Sequence, residues 1–165
     1  MSANLLEMTA VVEQMGEHPA VKALTTESVS WNPKWLTDAK FDRGEITVTV
    51  APEAIIAAAK TLQAAGYNFF EDMTAVDWFP SEPRFQLSYH LLSHKFKEHV
   101  RLRTFVDESV DSIVTVWPSA NFYEREVFDL FGIHFGGHPN MVRIMLPEEF
   151  EGHPLRKDYP VEGYR

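Results

Sequence analysis

From Glu45 to Val50 apolar and polar residues alternate strictly, with Ile46, Val48 and Val50 separated by Thr47 and Thr49. Successive side chains of a strand point to opposite faces, so this period predicts a strand with one buried face. The pattern then changes. Pro52 stands where the first turn of a helix tolerates a missing N–H, Ala and Leu fill the interior, and Gly66 supplies a left-handed cap. Upstream, Leu5, Met8, Val12 and Met15 recur at helical spacing until Gly16 and Pro19 stop them, and an irregular stretch with Trp31, Pro33 and Trp35 follows. Further strands are expected at Tyr67–Phe70 or slightly beyond, at Phe85–Leu92 and at His99–Val106.

The last two strands read as a hairpin. Phe85, Leu87, Tyr89 and Leu91 share one face, and Val100, Leu102 and Val106 can meet them there. The other faces carry Gln86, Ser88 and His90 against His99, Arg101 and Arg103. One apolar and one polar face predicts an antiparallel sheet with helices on one side only, an α+β two-layer sandwich. Helices and strands do not alternate as a doubly wound fold requires. The bases Arg84, Lys95, Lys97, Arg101 and Arg103 cluster here. They read as a solvated, aggregation-resistant sheet face, or alternatively as a patch for an acidic partner.

A final helix is expected after Asn121, which can cap it, with Glu124 completing a capping box. Tyr123, Val127, Leu130 and Phe131 form its apolar stripe, and Gly132 closes it. Arg125 and Asp129 are four apart and can pair, while Glu126 and Asp129 could form an acid/base pair or a metal clamp. Beyond Gly132 periodicity disappears. Prolines at 139, 147, 154 and 160 punctuate a tail whose Phe135, Met141, Ile144, Met145, Leu146 and Phe150 still need burial. Long structureless segments of compact domains are usually functional. Residues 1–132 are therefore expected to form the α+β domain and 133–165 an extended C-terminal docking arm on it.

Composition excludes several chemistries. Across 165 residues there is no cysteine, which removes disulfides, thiolate metal sites and thiol nucleophiles. A net charge of -9 opposes general binding to nucleic acid or anionic membranes. The longest aliphatic run, Ala54–Ala59, is far short of the ~20 residues that span a bilayer, and the first basic residue is Lys22, so a soluble cytoplasmic chain is expected. His134 and His138 have zinc-helix spacing, but the glycines between them make a helix improbable; His90, His94 and His99 lack motif spacing as well. No Walker loop, G-x-S-x-G or dinucleotide fingerprint occurs.

The most specific residues are E-R-E-V-F-D-L-F-G-I at Glu124–Ile133, G-H-P at Gly137–Pro139, R-I-M at Arg143–Met145 and G-H-P-L-R-K-D-Y-P at Gly152–Pro160. Asp72-Met-Thr-Ala-Val-Asp77-Trp78 lies upstream. With these the chain resembles the C subunit, or 30 kDa subunit, family of the proton-pumping NADH-quinone oxidoreductase, respiratory complex I. The likeness spans most of residues 67–160. Where many relatives have an Arg-Arg pair before Ile-Leu, this chain has Val142-Arg143, so only Arg143 is carried over.

The resemblance implies an α+β domain with a mixed sheet, an extended C-terminal arm and no cofactor in this chain. NAD, FMN, Fe–S clusters and quinone would belong to other subunits. It implies a scaffold on the cytoplasmic side of the inner membrane, held there through the complex. The hydrogenase-like D subunit, which helps form the quinone chamber, is the main expected partner, with the B and I subunits as neighbours. Glu124, Arg125, Glu126, Asp129, His138, Arg143, His153, Arg156, Lys157 and Asp158 are then the expected partner-interface residues. The competing account is an intramolecular Arg–Glu/Asp network that pins the tail to its own domain. Two other functions remain as alternatives: the equivalent subunit of a complex-I-like hydrogenase or ferredoxin-dependent complex, and a small enzyme using Glu126, Asp129 and the histidines.

Overall fold

A computed structural model describes residues 18–26 and 32–163 of the chain. The elements run α1 (Pro19–Thr25), β1 (Leu36–Asp42), β2 (Glu45–Val50), α2 (Ile55–Ala65), β3 (Phe69–Asp77), β4 (Phe85–Ser93), β5 (Glu98–Val106), β6 (Ser109–Asp111), α3 (Ala120–Phe131) and β7 (His134–Gly136). Five strands form one sheet in the order β1-β2-β5-β4-β3. Only the β2–β5 pair is parallel; the other three are antiparallel. The sheet is thus mixed and mostly antiparallel, and the α+β class is as expected. A second, two-stranded sheet pairs β6 with β7 in parallel.

The register follows the alternation. Ile46, Val48 and Val50 of β2, Leu87, Tyr89 and Leu91 of β4, and Val100, Leu102 and Val106 of β5 are all buried in one cluster with the inner faces of the three helices. Thr104 occupies a core position on β5, and its hydroxyl donates to the carbonyl of Val50 at 3.0 Å, so the buried polar group is satisfied. Pro52 opens a single 3-10 turn through Ala54 before α2 begins, and Gly66 caps that helix in the left-handed region. Phe70, Trp117 and Tyr123 close the core near the start of α3, where Phe70 packs tilted against both Trp117 and Tyr123.

Several boundaries differ from expectation, each for a local reason. Strand β1 carries no strand-like alternation, because a register shift between Leu36 and Asp38 puts its two buried residues, Leu36 and Ala39, three apart. A similar shift between Phe70 and Asp72 disguises β3, which starts later than expected and runs on to Asp77. Pro19 opens a helix instead of merely ending one, in keeping with proline's fitness for a first turn. The helix expected over Leu5–Met15 lies outside the described residues. Helix α3 begins one residue before Asn121, and Ser119 precedes it without a side-chain cap. The expected capping box does not form, since Glu124 points inward.

Leu87 and Leu102 have no solvent exposure and lie on the same buried side of the paired strands β4 and β5. Either Leu→Ala change should lower the unfolding free energy by roughly 2–5 kcal/mol in a denaturant titration, as cavity-forming changes do. A neutral result at both positions would mean that the apolar faces of these strands do not meet the helices.

Candidate docking site

Helix α3 ends at Gly132, whose φ of 72° only glycine adopts without strain. The last carbonyls of a helix have no partner inside it, and here the C-terminal arm supplies most of them. The N–H of Gly132 donates to Phe128 O at 2.8 Å. His153 Nδ1 donates to Asp129 O at 2.8 Å, and Leu155 N donates to Leu130 O at 3.1 Å. Arg156 donates through Nε to Phe131 O and through Nη2 to Gly132 O. The cationic forks of Arg143 and Arg156 thereby sit at the negative end of the helix dipole. A Cβ on Gly132 would lie 2.6 Å from the His153 ring and 2.8 Å from Arg156 Nη2, so the glycine is needed for this close approach as well as for its φ.

The Asp129 side chain is fully buried and uses both oxygens. Oδ1 accepts from Arg143 Nη1 at 2.6 Å, and Oδ2 accepts from the backbone N–H groups of Ile144, Met145 and Leu146 at 3.0, 2.8 and 2.9 Å. Burial alone would raise its pKa; the three N–H groups and the guanidinium outweigh that and hold it below the usual carboxylate range. Arg143 also donates to the carbonyls of Phe150 and Gly152 at 3.0 and 3.2 Å, closing the loop between them. Arg125 does not pair with Asp129, as its spacing suggested, but reaches the carbonyls of Val142 and Arg143 at 3.0 and 3.2 Å.

A second carboxylate holds the far end of the arm. Asp77, also buried, accepts from Arg84 Nε and Nη2 at 2.9 and 2.7 Å, from Phe79 N at 2.9 Å and from Lys157 N at 2.8 Å. Arg84 bridges onward to Asp158 at 2.6 and 3.1 Å. Burial again opposes ionisation, yet the arginine and backbone bonds bring the Asp77 pKa down to about 2. The Arg84 pKa is raised, first by its bond to Asp77.

The expected interface residues therefore fall into two groups, with Glu124, Glu126 and His138 outside both. Asp129, Arg143, His153 and Arg156 meet at the end of α3, with Arg125 beside them. Lys157, through its backbone, and Asp158 join the Asp77–Arg84 pair. Glu124 and Glu126 belong to neither group. Glu126 is exposed, whereas Glu124 is fully buried on the opposite side of the helix. It accepts from the Ser112 hydroxyl at 2.6 Å and Ile113 N at 2.8 Å. Burial pushes its pKa up to about 7 against those two bonds. His138 is half-buried, accepts from Asn140 N at 3.1 Å, and has its pKa lowered first by burial. Burial likewise lowers the His153 pKa. Glu126 and buried Asp129 do not form an acid/base pair, and among the described residues no three His, Asp or Glu side chains are grouped as metal ligands.

Asp77 and Arg84 are absent from the interface residues expected from sequence, although a signal exists. Met73, Ala75 and Asp77 occupy the inward parity of β3, and an acid at a core position demands a charged or donor-rich partner. The arm's inner side is thus held by polar bonds to the two aspartates and to the end of α3. Its outer side displays apolar groups among charged ones: Val142, Ile144, Met145 and Leu155 are exposed, Met145 to 62% and Leu155 to 50%, with Glu148, Glu149 and Glu151 nearby in the chain.

Comparison with known proteins identifies the family and the fold. The family model described as "Respiratory-chain NADH dehydrogenase, 30 Kd subunit" matches residues 48–165. The chain is 47% identical over 132 residues to the NADH-quinone oxidoreductase C subunit of Citrifermentans bemidjiense, covering 78% of this chain and 82% of that one. It is 42% identical over 137 residues to the mitochondrial NADH-ubiquinone oxidoreductase 30.4 kDa subunit of Neurospora crassa, covering 80% of this chain and 48% of that one. Among solved structures, the trypsin-resistant fragment of Nqo5 superimposes with a TM-score of 0.61 at 27% identity, covering 78% of this chain and 98% of the fragment. A chain of a membrane-bound sulfane sulfur reductase, an archaeal respiratory membrane complex, gives a TM-score of 0.69 at 23% identity over 93% of this chain and 86% of that one, a likeness of fold.

Replacing Asp129 or Arg143 with Ala removes one member of a buried pair and leaves the other uncompensated. Each change should destabilise the isolated chain by roughly 3–5 kcal/mol. Truncation before His138 should also lower the melting temperature, since it strips the arm's donors from the end of α3. Equal melting curves for the full and truncated chains would contradict this intramolecular role. Glu124 generates an opposite pH effect. A carboxyl whose folded pKa is raised favours folding in its protonated form, and that contribution is lost as pH rises from about 4.5 toward 7. Between pH 5 and pH 8 the native chain should lose on the order of 2–3 kcal/mol that Glu124→Gln does not lose. Parallel slopes in urea titrations of the two proteins would contradict it.

Proposed function

Because the chain belongs to the respiratory-chain NADH dehydrogenase 30 kDa subunit family, we propose that it is a non-catalytic subunit of NADH-quinone oxidoreductase whose arm docks neighbouring subunits. The carrying observation is the division of the arm into a bonded inner side and an apolar outer side. Asp129 fixes the backbone of Ile144, Met145 and Leu146 from below. Val142, Ile144 and Met145 are therefore exposed on a segment already ordered. Ordered apolar groups ringed by charge suit a protein interface, because little conformational entropy remains to be lost on association.

In this reading the main occupant is the D subunit of the quinone chamber, with the B and I subunits adjacent, and membrane attachment is peripheral, from the cytoplasmic side. None of the described helices is long and apolar enough to cross a membrane. Electron carriers and quinone reside in the other subunits, and this chain holds their protein frames at fixed separation. Glu126, Lys157 and Asp158 stand exposed at the rim as partner contacts. Arg125, His138, Arg143, His153 and Arg156 shape the arm from its inner side, and the buried Glu124 and Asp129 contribute only through the residues they hold.

Ile144→Asp combined with Met145→Asp tests the outer side without touching the inner bonds. The melting temperature of the isolated chain should fall far less than in Asp129→Ala, since both side chains are exposed and the backbone N–H groups that Asp129 holds are retained. Assembly should fail: native gels should lack the complete complex, and membranes should lose most NADH-quinone activity. Normal amounts of assembled, active complex would refute the docking role.

A further inference from the structure

The arm turns its arginines inward and leaves a run of acids outside. Arg143 is bonded to Asp129 and to the carbonyls of Phe150 and Gly152, and Arg156 to the end of α3. Glu148, Glu149 and Glu151 are exposed instead, and among the described residues their carboxylates have neither a hydrogen-bond donor nor an ion-pair partner.

Two of these acids border a cavity in the arm. It measures about 420 Å³ and is lined by Pro147, Glu149, Phe150, Glu151, Tyr159 and Gly163. The Phe150 and Tyr159 rings stack, 17° from parallel with centroids 6.4 Å apart. The walls are ordered by the arm's own bonds. Phe150 N donates to Pro147 O at 3.1 Å, Tyr159 N to Arg156 O at 3.1 Å and Gly163 N to Pro160 O at 3.0 Å. Arg143 holds the Phe150 carbonyl as well. Among the described residues no basic side chain lines the cavity.

We propose that this cavity receives one arginine side chain from a segment of a neighbouring subunit, with an apolar residue of the same segment meeting the exposed Met145 close by in the chain. The inference rests on the docking reading above and names the chemistry of the partner that the arm takes. Two carboxylates with no base beside them favour a cation, and both acids are exposed, so their oxygens can meet it directly. Arg143, the cation bonded to the Phe150 carbonyl, is itself matched by Asp129. A guanidinium forks onto carboxylates and also lies against aromatic rings, which Phe150 and Tyr159 supply; an ammonium is a hydrated point charge and does the second less well. Walls ordered beforehand lower the cost of association, and an arginine set among apolar contacts is a frequent anchor of protein interfaces.

A photoreactive p-benzoylphenylalanine at Glu148, exposed between the lining residues Pro147 and Glu149, tests this in cells that assemble the whole complex. Irradiation followed by mass spectrometry of the purified complex should show a cross-link to an arginine-containing segment of another subunit. Glu149→Gln with Glu151→Gln should lower its yield about tenfold, the loss expected for a charge-assisted contact. Glu149→Arg with Glu151→Arg should abolish it, and changing the partner arginine to Glu in that reversed background should restore it. In the isolated chain Glu149→Gln with Glu151→Gln should melt no lower than the native protein, because no bond of the fold uses these carboxylates. A lowered melting temperature would mean that this chain's own residues, Arg165 for example, fill the cavity, and would overturn the proposal. So would no cross-link to another subunit, a cross-linked segment without arginine, or a yield indifferent to both charge changes. A complex that contains this chain but shows none of these responses defeats this inference alone, whereas full assembly of Ile144→Asp with Met145→Asp defeats the docking reading beneath it.

Discussion

Asp129 faces inward at the end of α3, where no solvent can stabilise its charge, and the path of the arm follows from satisfying it. Three successive backbone N–H groups and one guanidinium converge on its two oxygens. Bonds to an ionised acceptor are stronger than neutral ones, and a buried carboxylate without them would be very costly. The arm therefore cannot be placed independently of the helix. Arg143, held by Asp129, gathers the Phe150 and Gly152 carbonyls, and this returns the chain so that His153, Leu155 and Arg156 cap the helix end.

Asp77 repeats the device at a distance. It sits at the end of a core-facing row on β3, takes both nitrogens of Arg84, and accepts from the backbone of Lys157, 80 positions along the chain. Two aspartates thus clamp a segment with no periodicity of its own. Their depressed pKa values mean that this support is present above the ordinary carboxylate range and is lost as pH falls through the folded values, near 2 for Asp77. Glu124 acts in the opposite sense, because it has hydrogen bonds but no cation close enough to offset its burial. The difference between the acids lies in their partners, since all three are buried.

Such an arrangement reconciles two readings of the tail that compete at the level of sequence. The arginines and aspartates serve this chain's own fold, as the intramolecular account holds. The apolar residues between them are displayed outward by the same bonds. A segment rigid on one side and apolar on the other can serve both as part of the folding unit and as a docking surface, because different atoms carry the two roles.

Much of the framework is legible in sequence. The alternation at Ile46–Val50, Phe85–Leu91 and Val100–Val106 decides which faces are buried, because a period of two leaves no other register. Pro52, Gly66 and Gly132 mark helix ends through their backbone preferences alone, and the motifs after Glu124 identify the family. What escapes is non-local. Bulges break the alternation of β1 and β3, so their apolar residues fall out of phase. The spacing of Arg125 and Asp129 suggests a helical pair, whereas Arg143, 14 positions beyond Asp129, takes the carboxylate. Glu124 reads as a surface cap, yet the turn at Ser112 and Ile113 buries it. Local periodicity depends on neighbours along the chain and can be read from it. The partner of a buried charge is chosen by which donors the folded chain brings within about 3 Å, and only tertiary structure decides that.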